Sequence, residues 1–259
     1  MTVKFERLSD PSPINMADSW YQYASTDHFW FQWRFFALRR LVRDVDLGTR
    51  VLEIGCGNGV AGLQFEREFD VSVDGCDLNE AALRMAAGGR GSLYVYDIHD
   101  RRPEWEGFFD SILLLDTLEH IDDPIGFLRS AAFHLHPEGL MVFNVPAMSW
   151  LYSRYDEIAG HVKRYDKRLL RKELADAGLS LCAETYWGLT MIPVLMARKL
   201  VVGLLPHNKV IKGGFQPSWP TEWFLRLLMH AERSLLGNPC VGSSLAAIAR
   251  PARTGRRNG

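Results

Sequence analysis

The sequence predicts an α/β protein built on a doubly wound, mostly parallel β-sheet. Three observations lead to this prediction. Short apolar runs alternate with helical patterns between residues 49 and 186, and a glycine-rich turn joins the first run to the first helix of that series. In addition, Phe109 to Leu115 is nearly continuous in apolar residues, as expected of a strand that is covered on both faces.

Composition excludes several classes of protein. The chain has 259 residues, of which 47% are hydrophobic and 24% are charged, so it can bury the core of one large domain. A formal net charge of −1 gives no overall attraction to nucleic acid. The four cysteines form no C-x-x-C pair, and no uncharged run is long enough to span a bilayer. The N-terminus has no apolar signal core, so the sequence predicts a cytoplasmic protein.

Residues 1–48 are rich in aromatic side chains, and the spacing predicts a helix or two between residues 28 and 45. One interpretation is a helix that packs its aromatic face on the edge of the sheet. The other is a lid whose rings cover a bound ligand. Under the second interpretation, Arg34 is the residue best suited to reach a ligand carboxylate.

The glycine-rich turn follows an apolar strand at residues 51–54. Gly55, Gly57 and Gly59 then lead into a helical pattern that begins at Val60. Glycine allows positive φ angles and lets a ligand approach the backbone, so the turn is typical of a nucleotide cradle. Residues 57–62 also fit G-x-G-x-x-G, which keeps a nicotinamide-dependent oxidoreductase open as an alternative.

The phrase that runs from Glu53 to Gly59, E-x-G-x-G-x-G, resembles the first motif of the class I S-adenosylmethionine (SAM) methyltransferases. The resemblance implies a seven-stranded Rossmann-like sheet whose last strand is antiparallel, with SAM bound along the carboxyl ends of its strands. It implies contacts to SAM from the glycine turn and from the ends of three further strands. Those contacts are Glu53, Gly55, Cys56, Gly57, Asp77, Leu78, Asp97, Ile98, Leu115 and Asp116, with Arg34 from the N-terminal helix.

Two acids that end strands have specific expected roles. Asp77 closes a strand at residues 71–77 and would accept both ribose hydroxyls, although it could also cap the helix that begins near Glu80. Asp97 closes a strand at residues 92–97. The resemblance implies that Asp97 accepts the adenine amino group beside the backbone of Ile98, whereas the alternative is a solvated loop acid.

The fourth strand, residues 109–116, runs into Asp116-x-x-Glu119-His120 and an Asp-Pro step. This stretch resembles the branch that contains ubiquinone-biosynthesis O-methyltransferases. A divalent metal at Asp116, Glu119 and His120 is implied by that branch but is not favoured here, because aspartate reaches less far than the usual glutamate. A helix at 124–136, a turn at 137–139 and a strand at 140–146 are expected to follow.

Three residues are candidates for catalysis. Methyl transfer needs an in-line nucleophile and, for a hydroxyl, a proton acceptor. His120 and His161 are the expected bases because imidazole titrates near neutral pH, and Tyr165 would orient the acceptor. The alternatives are a helix-cap or supporting hydrogen bond for His120 and a loop anchor for His161.

The remaining chain predicts a helix at 167–177, a strand at 179–186, a helical insertion and a final strand at 243–249. The predicted division is a lid (1–48), a SAM-binding core (49–186 and 242–250), an insertion (187–241) and a flexible basic tail (251–259). The insertion's apolar helices, broken by Pro193 and Pro206, suit a substrate cap, a homodimer surface or peripheral membrane contact through residues 187–236. The alternative is that these helices pack on the edge of the sheet.

Together these features predict a SAM-dependent methyltransferase (EC 2.1.1.-) that releases S-adenosyl-L-homocysteine. The expected acceptor is a small hydrophobic, lipid-linked or sugar-containing molecule that is methylated on oxygen, and nucleic acid is not expected as a partner. Alternatives are the nicotinamide-dependent oxidoreductase and a non-catalytic interaction protein with the same fold.

Overall fold

A computed structural model describes residues 5–12, 21, 24–202, 219–235 and 239–252. Within these residues eight strands form one sheet: β1 (Phe5–Arg7), β2 (Arg50–Ile54), β3 (Ser72–Asp77), β4 (Leu93–Val95), β5 (Phe109–Leu115), β6 (Leu135–Pro146), β7 (Leu179–Trp187) and β8 (Ser244–Pro251). The described helices are α1 (Phe29–Val42), α2 (Val60–Glu68), α3 (Glu80–Arg84), α4 (Pro124–His134), α5 (Arg154–Ile158), α6 (Lys167–Asp176), α7 (Ile192–Val202) and α8 (Trp219–Leu235).

The sheet has the order β1-β4-β3-β2-β5-β6-β8-β7. Strands β1 to β6 pair in parallel, whereas β8 lies antiparallel between β6 and β7. The predicted doubly wound sheet with an antiparallel last strand is therefore confirmed. The strand count differs by one, because Phe5–Arg7, assigned by sequence to the helical lid, adds an edge strand beside β4.

Two predicted boundaries differ from the structure. Strand β6 begins at Leu135, so the expected turn at 137–139 lies inside it as an irregularity, with Phe109 opposite Leu135 but Ser111 opposite Leu140. Pro193 does not break a helix, because α7 begins at Ile192. In the first turn of a helix proline loses no intrahelical hydrogen bond. Pro206 and the basic tail from residue 253 lie outside the described residues.

The core occupies both faces of the sheet, and β5 shows why. Ile112 and Leu114 point into a cluster with α4 and α6, whereas Leu113 and Leu115 point into a cluster with α1 and α2. This alternation follows from the two-residue period of a strand. Because both faces are covered, only the ends of the strands remain available for a site.

Helix α1 is part of the second core cluster. Trp33, Leu38 and Val42 are almost completely buried there. Helix α1 therefore packs on the sheet, which is the first of the two interpretations given for this segment. Tyr21, which precedes α1 in the chain, contacts the glycine turn instead, since its ring lies against Gly57.

The two described helices of the insertion contact different parts of the core. In α8, Leu225 and Met229 are buried against the second cluster, and Arg226 donates to Gln32 of α1. In α7, the Arg198 guanidinium lies over the Tyr155 ring at 4.0 Å. None of the described helices combines the length and the apolarity that crossing a bilayer requires.

Candidate active site

The glycine turn after β2 is held by backbone hydrogen bonds to the end of β3. The N–H groups of Gly55 and Cys56 both donate to the Cys76 carbonyl, at 2.8 and 3.1 Å. Gly57 has a φ of 55°, and a Cβ atom there would lie 2.6 Å from the Tyr21 ring. Glycine is therefore required at position 57 by both the backbone angle and the space.

Asp77 lies directly beside this turn and is buried. Its carboxylate accepts the N–H of Gly57 at 2.7 Å and that of Asn79 at 2.8 Å. Burial raises the pKa of Asp77, and these backbone donors act against that rise. A carboxylate has about four lone-pair sites, so two further hydroxyl donors can still be accepted. The cap of α3 is the side chain of Asn79, which accepts from Ala82, and not Asp77.

Three further expected cofactor contacts are Leu78, Asp97 and Ile98. The Leu78 carbonyl accepts from Ser12 at 3.2 Å. Asp97 caps a single 3-10 turn, since its Oδ1 accepts from His99 at 2.9 Å, while Ile98 is buried. Asp97 thus has the contact expected of an acid in a loop, which was the alternative to adenine binding. Its contact with adenine stays a prediction.

Glu53 is a buried carboxyl group on β2. Its Oε2 accepts the N–H of Gly62 at 2.9 Å and so ties the strand to the first turn of α2. Burial raises the pKa of Glu53 to about 7, although the nearby Arg34 guanidinium acts in the opposite direction. The Cys56 thiol is also buried, and burial raises its pKa well above the ordinary value.

Arg34 pairs with a carboxylate of the protein itself. Its Nη1 donates to Asp116 Oδ2 at 2.8 Å, and Asp116 Oδ1 accepts from Asn144 Nδ2 at 2.5 Å. Asn144 in turn accepts from the Trp187 indole at 2.8 Å. The buried Arg34 Nε has no hydrogen-bond partner among the described residues, so it still has a donor to offer. Leu115, which precedes Asp116, is buried in the core.

Asp116 has a φ of 58°, which is unusual for a residue with a side chain. Its partner Asn144 and the Trp187 that binds Asn144 were not predicted from the sequence. Asn144 could have been found, because it is a single amide inside the otherwise apolar run from Leu140 to Val145. A buried polar side chain in such a strand needs a partner.

His120 and His161 lie beside each other in the structure, and their catalytic role stays a prediction. Their ring centroids are 4.8 Å apart, and the rings are nearly perpendicular. His120 Nδ1 donates to the Gly160 carbonyl at 3.1 Å, and His161 Nδ1 donates to Asp156 Oδ1 at 3.0 Å. Burial and the neighbouring His161 lower the pKa of His120 to about 4.

Glu119 is fully buried beside the two histidines. Neither of its carboxyl oxygens has a hydrogen-bond partner among the described residues. Oε1 lies 4.0 Å from His161 Nε2. Burial and the nearby Asp116 raise the pKa of Glu119 well above its usual value. Because Glu119 and His161 are far apart in the chain, their proximity was not predicted from the sequence.

Tyr165 is fully buried, and its hydroxyl donates to Glu173 Oε2 at 3.0 Å with the Leu118 carbonyl 3.3 Å away. Burial raises its pKa above the ordinary value. These contacts anchor the loop that carries His161. Its expected role in orienting an acceptor stays a prediction, and the contacts favour positioning of the loop.

A family described as a methyltransferase domain matches residues 17–184. The ubiquinone biosynthesis O-methyltransferase of Vibrio campbellii is 31% identical over 103 residues. That match covers 38% of this chain and spans 43% of the relative's length, which is less than half of it.

Solved structures share the fold at low sequence identity. A Haloferax volcanii methyltransferase chain, solved in complex with the Trm112 methyltransferase activator, superposes with a TM-score of 0.61. It is 17% identical, and the match covers 93% of this chain and all of that one. The [4+2]-cyclase SpnF superposes with a TM-score of 0.60 at 16% identity, over 94% of this chain and 99% of the other.

Proposed function

The chain belongs to the class I SAM-dependent methyltransferase family, and we propose that it transfers the methyl group of SAM to an oxygen atom of a small hydrophobic acceptor. The observation that carries the proposal is the hydrogen bond between Gly57 and Asp77. It places a buried carboxylate beside the glycine turn at the carboxyl edge of the sheet. This is the place where an open α/β sheet binds its ligand.

The residues at this edge fit SAM. Asp77 keeps lone pairs for the ribose hydroxyls, and its hydrogen bond to the Gly57 N–H holds it beside the glycine turn. The unpartnered Nε of Arg34 suits the methionine carboxylate of SAM. When bound, SAM supplies a methyl group that is already activated by its sulfonium.

We assign the methyl acceptor to the space beside His120 and His161. His120 and His161 follow the ends of β5 and β6 in the chain, and their contacts leave Nε2 of each ring as the atom that accepts a proton or binds a cation. A hydroxyl acceptor needs such a group when it loses its proton. The names of the relatives, ubiquinone biosynthesis O-methyltransferases, also favour an oxygen acceptor.

A hydrophobic or lipid-linked acceptor is favoured by the insertion. Helix α7 contacts α5 and the turn at 149–151, next to the loop that carries His161. The insertion exposes large apolar side chains, namely Met196, Leu200, Trp223, Phe224 and Leu227. Such a surface suits a cap over a hydrophobic substrate, contact with a membrane surface or a homodimer interface.

The test is transfer of labelled methyl from SAM into a small-molecule and lipid extract, followed by identification of the product by mass. The fold alone does not predict this outcome, because a cyclase shares it. A labelled O-methyl product supports the proposal. An S-adenosylhomocysteine-binding protein that labels nothing in any extract would instead be a non-catalytic member of the fold.

Asp77→Asn tests the cofactor site. Asparagine keeps one oxygen for the Gly57 N–H, but it loses the acceptor for the Asn79 N–H and the charge that strengthens two hydroxyl contacts. We expect the affinity for S-adenosylhomocysteine to fall by roughly 10- to 100-fold, as measured by calorimetry. The exposed Asp100→Asn, on a neighbouring turn, serves as the control. Unchanged affinity in Asp77→Asn would remove the ribose assignment.

A further inference from the structure

Residues 5–12, called here the N-terminal segment, lie along the carboxyl ends of two strands of the candidate site. The segment begins as β1, which pairs in parallel with β4. Beyond β1 the Ser9 N–H donates to the Val95 carbonyl at the end of β4, at 3.0 Å. The Ser12 N–H then donates to the Leu78 carbonyl just after β3, at 3.2 Å. The segment therefore crosses from the end of β4 to the end of β3.

The Ser9 hydroxyl is bound on both sides. It accepts the N–H of Asp97 at 2.9 Å and donates to Asp100 Oδ2 at 2.6 Å. A hydroxyl has one proton to donate, so these two partners fix its rotamer. Ser9 thereby holds the backbone of Asp97, and with it the direction of the Asp97 carboxylate and of the Ile98 N–H that follows.

The N-terminal segment has anchors that do not depend on Ser9. The Phe5 side chain packs against a small buried cluster formed by Cys56, Leu83 and Val95. Arg7 forms an ion pair with Glu80 of α3. Because these contacts are independent of the Ser9 hydroxyl, the segment should stay in place when that hydroxyl alone is removed.

Tyr21 lies at the other end of the candidate site. Its side chain is buried, and its ring packs against Gly57 of the glycine turn. The Asn58 side chain donates from Nδ2 to the carbonyls of Tyr21 and Ala24, at 3.2 and 3.0 Å. Asn58 belongs to the glycine turn, so the turn itself holds the chain that precedes α1.

The order of the strands relates these two contacts to the parts of a SAM molecule. The ends of β4, β3 and β2 are neighbours in the sheet, so the end of β4 and the glycine turn are about 10 Å apart. The adenine, ribose and methionine parts of SAM are joined in a line. With the ribose at Asp77 on β3, the adenine lies toward Asp97 and the methionine toward Gly57.

We propose that the N-terminal segment and Tyr21 complete the cofactor site at its two ends. Ser9 is a positioning residue, which acts through Asp97 to direct the acceptor of the adenine amino group. The Tyr21 ring covers the methionine end and keeps water from the polar contacts there, which strengthens them. The inference rests on the proposed function, because it takes SAM as the ligand of this edge.

The test of Ser9 compares S-adenosylhomocysteine with S-inosylhomocysteine, in which a carbonyl oxygen replaces the adenine amino group. Calorimetry on the full chain gives both dissociation constants. The parent should prefer the adenosyl ligand, since a carboxylate accepts from an amino group and repels an oxygen. Ser9→Ala should weaken S-adenosylhomocysteine binding roughly 3- to 10-fold and leave the inosyl ligand unchanged. Ser9→Thr keeps a hydroxyl and should keep the parental preference.

The control for this substitution is Ser180→Ala, which changes an exposed serine on β7 at the far edge of the sheet. A loss of preference confined to Ser9→Ala supports the positioning role. An equal loss for both ligands would show a general structural effect, and unchanged affinities would show no effect. Either result overturns the role of Ser9.

The test of Tyr21 compares S-adenosylhomocysteine with 5′-methylthioadenosine, which lacks the amino-acid part. Tyr21→Ala should weaken S-adenosylhomocysteine binding roughly 3- to 10-fold and leave 5′-methylthioadenosine unchanged. Tyr21→Phe keeps the ring and should bind as the parent does. Equal weakening of both ligands, or tighter binding of S-adenosylhomocysteine because the ring occupies its place, would overturn the cover.

The same measurements separate this inference from the proposed function. If the parent binds S-adenosylhomocysteine and the Ser9 and Tyr21 variants bind both ligands as the parent does, only this inference fails. If the parent itself binds no S-adenosylhomocysteine, the proposed function fails and the inference fails with it. Thermal unfolding of each variant checks that it is folded.

Discussion

Glu53 gives the stability of this protein a specific dependence on pH. Burial holds its pKa at about 7, against an ordinary value of 4.5, although Arg34 partly opposes the shift and Asp77 adds to it. Between pH 4.5 and 7 the Glu53 carboxyl group keeps its proton in the folded state and has lost it in the unfolded chain. Stability that is present below pH 4.5 is therefore lost as the pH rises through 7, and the loss is about 3 kcal/mol.

Glu53→Gln should abolish this dependence, because glutamine can accept the Gly62 N–H without a charge. The measurement is urea unfolding from pH 4.5 to 8, expressed as the difference between variant and parent at each pH. Between pH 4.5 and 8 the free energy of unfolding of the variant should rise by about 3 kcal/mol relative to that of the parent. The exposed Glu138→Gln is the control, and a flat difference for Glu53→Gln would contradict the assignment.

At the scale of single residues, sequence predicted positions better than partners. Asp77 lies beside the glycine turn as expected, because a strand end and a motif spacing fix its place in the chain. Arg34 was expected to reach a ligand, but its Nη1 binds Asp116. Glu119 and His161 likewise meet only through the fold. Such contacts join distant parts of the chain, and no local pattern contains that information.

At the scale of elements, Glu232 adds a buried polar contact to the packing of α8 on the core. Its carboxylate accepts the N–H of Gly188 at 2.6 Å, and the N–H and hydroxyl of Thr190, both at 3.0 Å. The residue is 5% exposed. Glu232→Ala would leave two backbone donors without this acceptor, since water cannot easily replace it there.

We expect Glu232→Ala to lower the free energy of unfolding by about 2–4 kcal/mol in urea titration. Glu222→Ala, also on α8, is the matched control, because its pair with Arg226 is partly exposed and is worth at most about 1 kcal/mol. Equal effects of the two substitutions would show that Glu232 does not anchor the helix. A loss confined to Glu232→Ala would support the anchoring contact.

The elements that sequence predicted well are those with a strong period or a clear boundary. The nearly continuous apolar run of β5 and the glycine after α6 are local signals, and both elements lie within one or two residues of their predicted ranges. Strand β1 has only three residues and is defined by pairing with β4. The start of β6 is likewise set by Phe109 of its neighbour, so neither could be read from its own sequence.

At the scale of the whole molecule, the site exists only when the sheet is assembled. Its residues come from α1, from the ends of β2, β3 and β5, and from the loop after α5, so no single segment contains it. Class I topology brings these ends to one edge because the parallel strands point the same way. A ligand that bridges them must therefore stabilise the folded chain against global unfolding.

This linkage distinguishes the methyltransferase from the nicotinamide-dependent alternative that G-x-G-x-x-G left open. At 100 times its dissociation constant, S-adenosylhomocysteine should stabilise the protein by about 2.7 kcal/mol. For a chain of this length that corresponds to a rise in Tm of roughly 5–10 °C in differential scanning calorimetry. NADH at the same concentration should leave Tm unchanged, and Asp77→Asn should reduce the response to S-adenosylhomocysteine. A rise with NADH alone would assign the glycine turn to a dinucleotide, since both ligands would use the same glycine turn and the carboxylate beside it.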